Sequence, residues 1–297
     1  MDTEPGASHV GEPRRAGKAL RLLLGLVMAV VAAVMAVLVS GFLHGDPRIT
    51  ALVPGLALPH AQPDGQGTHN PAKALNAPPP GLEEADAPLA SPPEPAVTND
   101  SYKFLATNDD GTPVGYSPCR PLHYVVNDAA APAGTDALLQ TALSNVSAAT
   151  GIQFVSDGAT DELPTEKREP YQPAKYGERW APLLISWTTP EAAPALADKV
   201  IGTGGSTMYS LNKGPKSYIT GSLELDTPQI SELLAGEGGS DYVLAVMQHE
   251  LSHVMGLDHV DDPAQLMYPE IGAPDGLADG DLTGLHQLAS APCRKDI

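Results

Sequence analysis

Three histidines near the end of the sequence constrain the fold of this chain more than any other feature. They lie in the run His249-Glu250-Leu251-Ser252-His253-Val254-Met255-Gly256-Leu257-Asp258-His259. His249 and His253 are four residues apart, so a helix carries both imidazoles on one face, about one turn apart. Gly256 can end this helix, because glycine adopts left-handed backbone conformations without steric cost. The run therefore predicts an active-site helix, a sharp turn and the return of His259 beside the first two histidines.

This set of side chains suits the chemistry of a catalytic zinc ion. A catalytic zinc takes three protein ligands, with imidazole nitrogens at about 2.0–2.1 Å, and leaves a fourth position to water. Glu250 lies beside the ligands without being one, where its carboxylate can act as general base on the bound water. The sequence thus predicts one Zn²⁺ held by His249, His253 and His259, with Glu250 as the catalytic residue. It leaves calcium open.

The pattern HExxHxxGxxH, followed by Met267 eight residues after the third histidine, resembles the metzincin clan of zinc metalloproteases. It is most similar to the matrixin branch, here in a bacterial-type, membrane-anchored form. The resemblance covers roughly residues 115–292 and is specific only for 243–269. It implies that Met267 forms the Met-turn below the zinc and that Tyr268 and Pro269 line the substrate pocket. It also implies that Ser222-Leu223-Glu224-Leu225 is the sheet edge to which an extended peptide adds.

The sequence departs from the matrixin pattern at three points. Val260 stands where matrixins have a serine after the third histidine. No histidine lies between His123 and His249, so we predict that the structural zinc site of matrixins is absent. No segment resembles the matrixin propeptide with its zinc-blocking cysteine, since Cys119 comes too close before the first predicted strand.

Apolar periodicity predicts an α+β fold, a twisted mixed sheet covered by helices, with an active-site helix and a C-terminal helix. The metzincin resemblance implies the same zincin-like domain. Ser240 or Asp241 is expected to cap the active-site helix, and Gly202 to Gly205 to form a turn near the site. The predicted strands are Leu122–Asn127, Ile152–Val155, Leu183–Trp187, Ser206–Leu211 and Tyr218–Leu225; the predicted helices are Thr135–Thr150, one from Tyr242 through the zinc ligands, and one from about Asp279 to Ala289.

An uncharged apolar run from Leu22 to Leu43 predicts a transmembrane signal-anchor helix. Its length of about 33 Å at 1.5 Å per residue exceeds the roughly 30 Å hydrocarbon core of a bilayer. The basic residues cluster before the run, so residues 1–21 are expected to form a cytoplasmic tail and everything after residue 43 to lie outside the cell. A cleaved signal peptide is the alternative, but the run is long for one.

Residues 44–100 contain 12 of the 30 prolines and almost no aromatic residues, a composition that predicts a disordered extracellular linker. An inhibitory prosegment that crosses the cleft is the alternative. Residues 101–297 are then one zinc metalloprotease domain. Cys119 and Cys293 bracket this domain, and in an oxidising compartment they are expected to form a disulfide. Two free buried thiols are the other possibility.

The net charge of −19 argues against a nucleic-acid partner. The combined features predict a zinc-dependent endopeptidase that hydrolyses peptide bonds of a peptide or protein substrate outside the cell, attached to the cell membrane by its single helix. Two alternatives stay open. A membrane-tethered binding or adhesion module would not need Glu250, whereas a zinc amidase acting on cell-wall cross-links would use every residue named above.

Overall fold

Residues 77–270 and 276–297 are described by the computed structural model. The predicted tail, the predicted anchor helix Leu22–Leu43 and the first part of the predicted linker lie outside the described residues. Among the residues that are described, no helix combines the length and the apolar character needed to cross a bilayer.

The structure has seven strands, five of which follow the order in the chain that the apolar runs predict; Leu122–Asn127 has the predicted bounds, and the other four predicted strands have different ends. In chain order the seven strands are β1 (Lys103–Phe104), β2 (Leu122–Asn127), β3 (Phe154–Ala159), β4 (Leu183–Thr188), β5 (Gly202–Tyr209), β6 (Ser217–Asp226) and β7 (Leu257–Asp258). Five of them form one sheet in the order β3-β2-β4-β6-β5, while β1 and β7 pair separately and antiparallel. All six residues of the central strand β4 are buried, as expected for a parallel strand covered on both faces.

Helices cover this sheet, so the predicted α+β class is confirmed. They are α1 (Thr135–Thr150), α2 (Pro173–Tyr176), α3 (Thr227–Leu234), α4 (Gly239–Met255) and α5 (Asp279–Leu288), with a 3-10 turn at Pro194–Leu196. The helix α1 has the predicted bounds and ends at Gly151, whose φ is 71°. The helix α4 carries the first two histidines and begins at Gly239, before the predicted caps, so Ser240 and Asp241 lie inside its first turn.

The resemblance placed Ser222–Leu225 at the edge of the sheet, and this expectation is wrong. These residues belong to β6, which lies between β4 and β5, parallel to the first and antiparallel to the second. The physical reason is that the backbone groups of β6 are hydrogen-bonded on both sides, to β4 and to β5, so no free edge is left for a peptide. The edge next to the active-site helix is therefore β5.

Gly202, Gly204 and Gly205 lie in β5 and do not form the predicted turn. They allow the strand to approach the active-site helix closely. A Cβ atom on Gly204 would lie 2.0 Å from the backbone oxygen of Glu250, and one on Gly202 would lie 2.8 Å from Cγ of Glu250. The glycines thus set the distance between the edge strand and the residue predicted to be catalytic.

Residues 77–100, which we call the N-terminal strap, pack against the domain. The backbone N–H groups of Ala85 and Leu89 donate to the carbonyl oxygens of Cys119 and Pro118, at 2.8 and 2.9 Å. The Glu84 carboxylate is fully buried and accepts hydrogen bonds from the Ser117 hydroxyl and from the Arg294 N–H. The prediction of a disordered linker is therefore wrong for residues 77–100. It was based on amino-acid composition, whereas this segment is held by backbone hydrogen bonds and by one buried carboxylate.

The strap covers the junction between the two ends of the domain. There Cys119 and Cys293 are joined by a disulfide, with their Cα atoms 5.3 Å apart across 174 residues of sequence. The polar contacts of the strap involve residues around this bridge, residues on α5, and the side chains of His123, Gln153 and Arg179, and none involves a histidine of the active-site run. Within the described residues, the strap does not cross the cleft as an inhibitory prosegment would.

We expect Glu84→Ala to lower the free energy of unfolding by about 2–4 kcal/mol, because it leaves the buried Ser117 hydroxyl and Arg294 N–H without their acceptor. The matched control is Glu94→Ala in the same strap, whose side chain is 90% exposed and 3.8 Å from His286. An exposed ion pair contributes little, so this variant should unfold as the parent does. Chemical denaturation measures both, and equal losses would contradict the anchoring role of Glu84.

Candidate zinc and catalytic site

The three predicted zinc ligands meet at one point. His249 and His253 project from the last two turns of α4, and His259 follows β7 after the turn at Gly256, whose φ is 122°. Nε2 of His259 lies 3.1 Å from Nε2 of His249 and 3.1 Å from Nε2 of His253. The sharp turn brings the third imidazole back as the sequence pattern requires.

Backbone carbonyl groups fix the tautomers of the first two ligands. Nδ1 of His249 lies 2.7 Å from the Leu266 carbonyl oxygen, and Nδ1 of His253 lies 2.7 Å from the Leu257 carbonyl oxygen. A carbonyl oxygen only accepts, so both Nδ1 atoms carry the proton and both Nε2 atoms present a lone pair. Burial lowers the pKa of His249 to about 4 and also lowers the pKa of His253, which keeps both rings neutral.

The histidine cluster fits a zinc ion. A proton on Nε2 of His259 can satisfy one of its two close contacts but not both, so the cluster has more lone pairs than donors. A cation at the common point removes this conflict. Tetrahedral zinc with bonds of about 2.0–2.1 Å places its ligand atoms roughly 3.3 Å apart, close to the observed spacing. His249, His253 and His259 are therefore well placed to hold such an ion.

Glu250 lies in the same cleft and is largely buried, with 8% of its surface exposed. Burial raises the pKa of its carboxyl to about 7, and a hydrogen bond from the Gly204 backbone opposes this shift. A carboxylate with a pKa near neutrality can both take up and release a proton under ordinary conditions. The position of Glu250 beside the histidines and its environment suit proton transfer.

The predicted Met-turn is joined by a backbone hydrogen bond to the segment that carries His259. Met267 is 1% exposed and belongs to the main hydrophobic core, and its carbonyl oxygen accepts a hydrogen bond from the Val260 N–H at 3.0 Å. Val260 is itself buried, which suits an apolar residue at this position. Of the two predicted pocket residues, Pro269 lines the cleft, whereas Tyr268 is half-buried and is not among the residues that line it.

The cleft around the histidines has a volume of about 980 Å³. The residues Lys199 to Gly204, at the start of β5 and just before it, form part of its lining. Leu105, Asp258 and His259 also line it. Such a space accommodates several residues of an extended peptide, with the edge strand β5 running along it.

Asp281 on α5 is a part of the site that the sequence did not point to. Its carboxylate is fully buried and accepts hydrogen bonds from the N–H groups of Leu266, Met267 and Ala278, at 2.7, 3.2 and 2.9 Å. Burial raises the pKa of Asp281, against the effect of these hydrogen bonds. Because the carbonyl oxygen of Leu266 orients His249, Asp281 positions this ligand through one peptide.

We expect Asp281→Asn to weaken zinc binding about 10- to 100-fold, because the amide has only one oxygen to accept the three N–H groups, two of which belong to the Met-turn. Asp279→Asn in the same helical turn is the control, since Asp279 is exposed and its carboxylate accepts no hydrogen bond from the Met-turn. Competition with a chromophoric zinc chelator measures the affinity. Parental affinity in the Asp281 variant would show that the Met-turn holds its position without this carboxylate.

Comparison with known proteins finds similarity over the segment that carries the histidines. The family model of the matrixins matches residues 187–289. Cat matrilysin is 34% identical over 91 residues, which are 29% of this chain and 33% of that protein. Rabbit macrophage metalloelastase is 33% identical over 95 residues, which are 31% of this chain and 19% of that protein. The chain thus spans a third or less of the length of these relatives.

Solved structures give more distant matches. Archaemetzincin from Methanopyrus kandleri is 16% identical with a TM-score of 0.38, over 57% of this chain and 95% of that one. A hatching-enzyme zinc protease from the medaka fish is 14% identical with a TM-score of 0.30, over 63% and 94%. The segment that matches the matrixin model, residues 187–289, contains the three histidines, Glu250 and Met267, so over this segment the chain is similar to the matrixins, a branch of the metzincin zinc metalloproteases.

Proposed function

We propose that this chain is a zinc-dependent endopeptidase that hydrolyses internal peptide bonds of peptides or proteins. The convergence of three imidazole lone pairs beside the buried carboxylate of Glu250 is the observation that carries the proposal. One zinc ion held there supplies a Lewis acid that polarises the scissile carbonyl and makes water a nucleophile near neutral pH. The matrixin family match supports the same class of reaction.

The residues of this chain supply the proton transfer and the alignment. Glu250 accepts a proton from the attacking water and delivers it to the leaving amine, a role that its pKa of about 7 permits. The hydrogen bond from the Gly204 backbone and the close packing of Gly202 hold the carboxylate in place. The hydrogen bonds from His249 and His253 to backbone carbonyl groups hold the two rings so that their Nε2 atoms point toward Nε2 of His259, where they would bind the ion.

The edge strand β5 is the surface on which we expect the substrate to lie. Within the described residues it pairs with a strand, β6, on one side only; on its other side the Gly204 N–H bonds to Glu250, and no second strand covers the edge along the cleft. An extended peptide can add there as a further strand, which brings one of its peptide bonds to the histidines. Recognition through backbone groups does not require a free chain end, so it suits an enzyme that cuts internal peptide bonds.

Cleavage of a proteome-derived peptide library by the purified protein tests this proposal. We expect internal cuts that a chelator abolishes and that added Zn²⁺ restores. Mass spectrometry of the products distinguishes internal cuts from trimming at the ends. A zinc-loaded protein that cuts no peptide in the library would overturn the proposal.

We further propose that the domain works outside the cell, held at the membrane by the segment Leu22–Leu43. The support is the length of this apolar run and the basic residues before it. The strap begins to pack on the domain by residue 77, which leaves residues 44–76 as the proposed flexible part of the tether.

Protease added to intact cells should release the catalytic domain by cutting between residues 44 and 76, while a tag fused at Met1 stays protected. Immunoblotting of the medium and the cells follows both fragments. The expected cut lies before the strap because its docked backbone resists proteolysis. A Met1 tag that is digested from outside, or a mature chain that starts just after residue 43, would reject this topology.

A further inference from the structure

Leu105 is an exposed apolar side chain at the edge of the catalytic cleft. It is 46% exposed and lines the cleft together with Asp258 and His259. Leu105 lies outside residues 187–289, so the family match assigns it no role. The residue belongs to the extended segment that includes β1 and that follows the strap.

The backbone around Leu105 is held firmly. Its N–H donates to the Gly256 carbonyl oxygen at 2.9 Å, and the next residue, Ala106, accepts a hydrogen bond from the Val114 N–H at 3.0 Å. Just before it, Lys103 and Phe104 pair with Asp258 and Leu257 of β7. These contacts fix Leu105 relative to the segment that carries His259.

The side chain of Leu105 points away from the core because the segment is extended. Successive side chains of an extended chain alternate between two sides. Phe104 and Ala106 are partly buried and pack against the main core, so Leu105 between them faces outward, into the cleft. An apolar residue at an outward position gains stability only when another apolar group covers it.

We infer that Leu105 is a specificity-determining residue, which forms an apolar wall of the cleft near Gly256 and selects an apolar side chain of the substrate at one subsite. This inference rests on the proposed endopeptidase function. An extended peptide along β5 turns alternate side chains to opposite sides, so a wall fixed at one point contacts a single position of the substrate. The expected substrates are therefore peptides with an apolar residue at that position.

Cleavage-site profiling of the purified full-length chain, loaded with Zn²⁺, tests the inference. In Leu105→Ser we expect the preference for apolar residues to disappear at one position relative to the cut and to persist at the others. For a peptide with an apolar residue at that position, kcat/KM should fall about tenfold, mainly through KM. The zinc content and the melting temperature should stay at the parental values, because the substitution leaves the backbone hydrogen bonds intact.

Two further variants make the test specific. Leu105→Phe keeps the wall apolar but enlarges it, so the preference at the same position should shift toward smaller apolar residues. Leu163→Ser is the matched control, since Leu163 is 68% exposed and does not line the cleft, and its profile should equal that of the parent.

Two results would overturn the inference. If the parent cuts peptides and both Leu105 variants keep its profile, or lower cleavage equally at every position, the wall does not select substrate although the proposed function stands. If the zinc-loaded parent cuts no peptide, the proposed function falls and the inference falls with it.

Discussion

Glu250→Gln should retain zinc and the fold while lowering kcat by at least about 10²–10⁴-fold, the contribution of a positioned acid or base. Glutamine has nearly the same volume as glutamate, so it fits the space that Gly202 and Gly204 leave beside α4. Its side-chain oxygen can still accept a hydrogen bond from Gly204, but the amide cannot take up a proton at neutral pH. The variant therefore separates the chemistry of Glu250 from its packing.

The control for Glu250→Gln is Glu224→Gln. Burial raises the pKa of Glu224 as it does that of Glu250, so the two carboxyl groups share this property. Glu224 lies on β6 between the core residues Leu223 and Leu225 and therefore points to the other face of the sheet, away from α4. Steady-state kinetics on one peptide and the bound zinc per chain give the result. Equal kcat in Glu250→Gln and the parent would refute the assigned role.

The convergence of the three histidines could be predicted from the sequence because its information is local. The spacing of His249 and His253 follows from the helical period, and Gly256 allows the turn that returns His259, so eleven consecutive residues bring three imidazoles together. The helix α1 was predicted with its bounds for the same reason, since its apolar spacing and its glycine stop lie within one segment.

The features that the sequence did not reveal depend on contacts between distant segments. Asp281 acts on a turn 14 and 15 residues earlier in the chain, and nothing in its own surroundings marks it as a support for the site. Glu84 accepts hydrogen bonds from residues 33 and 210 positions away in the chain. The amino-acid composition of a segment contains no information about such contacts. The order of β5 and β6 in the sheet likewise follows from tertiary burial and not from the pattern of either strand.

The purified protein should bind one Zn²⁺ per chain, and His253→Ala should weaken this binding by at least about a hundredfold, because two imidazoles make a poor zinc site. His286→Ala is the control, since His286 lies on α5, near Glu94 and outside the histidine cluster. Metal analysis and chelator competition measure stoichiometry and affinity. A second tightly held zinc would contradict the prediction that the structural site is absent, and parental affinity in His253→Ala would contradict the ligand assignment.

Combining variants shows whether Asp281 acts through His249, as the hydrogen bonds through Leu266 indicate. Asp281→Asn should weaken zinc binding less than His249→Ala, because it leaves the ligand present but poorly oriented. In the double variant the losses should not add, since Asp281 has no ligand left to orient. With His253→Ala, which keeps His249, the loss from Asp281→Asn should persist. Additive losses in both pairs would mean that Asp281 supports the Met-turn and the fold without orienting His249.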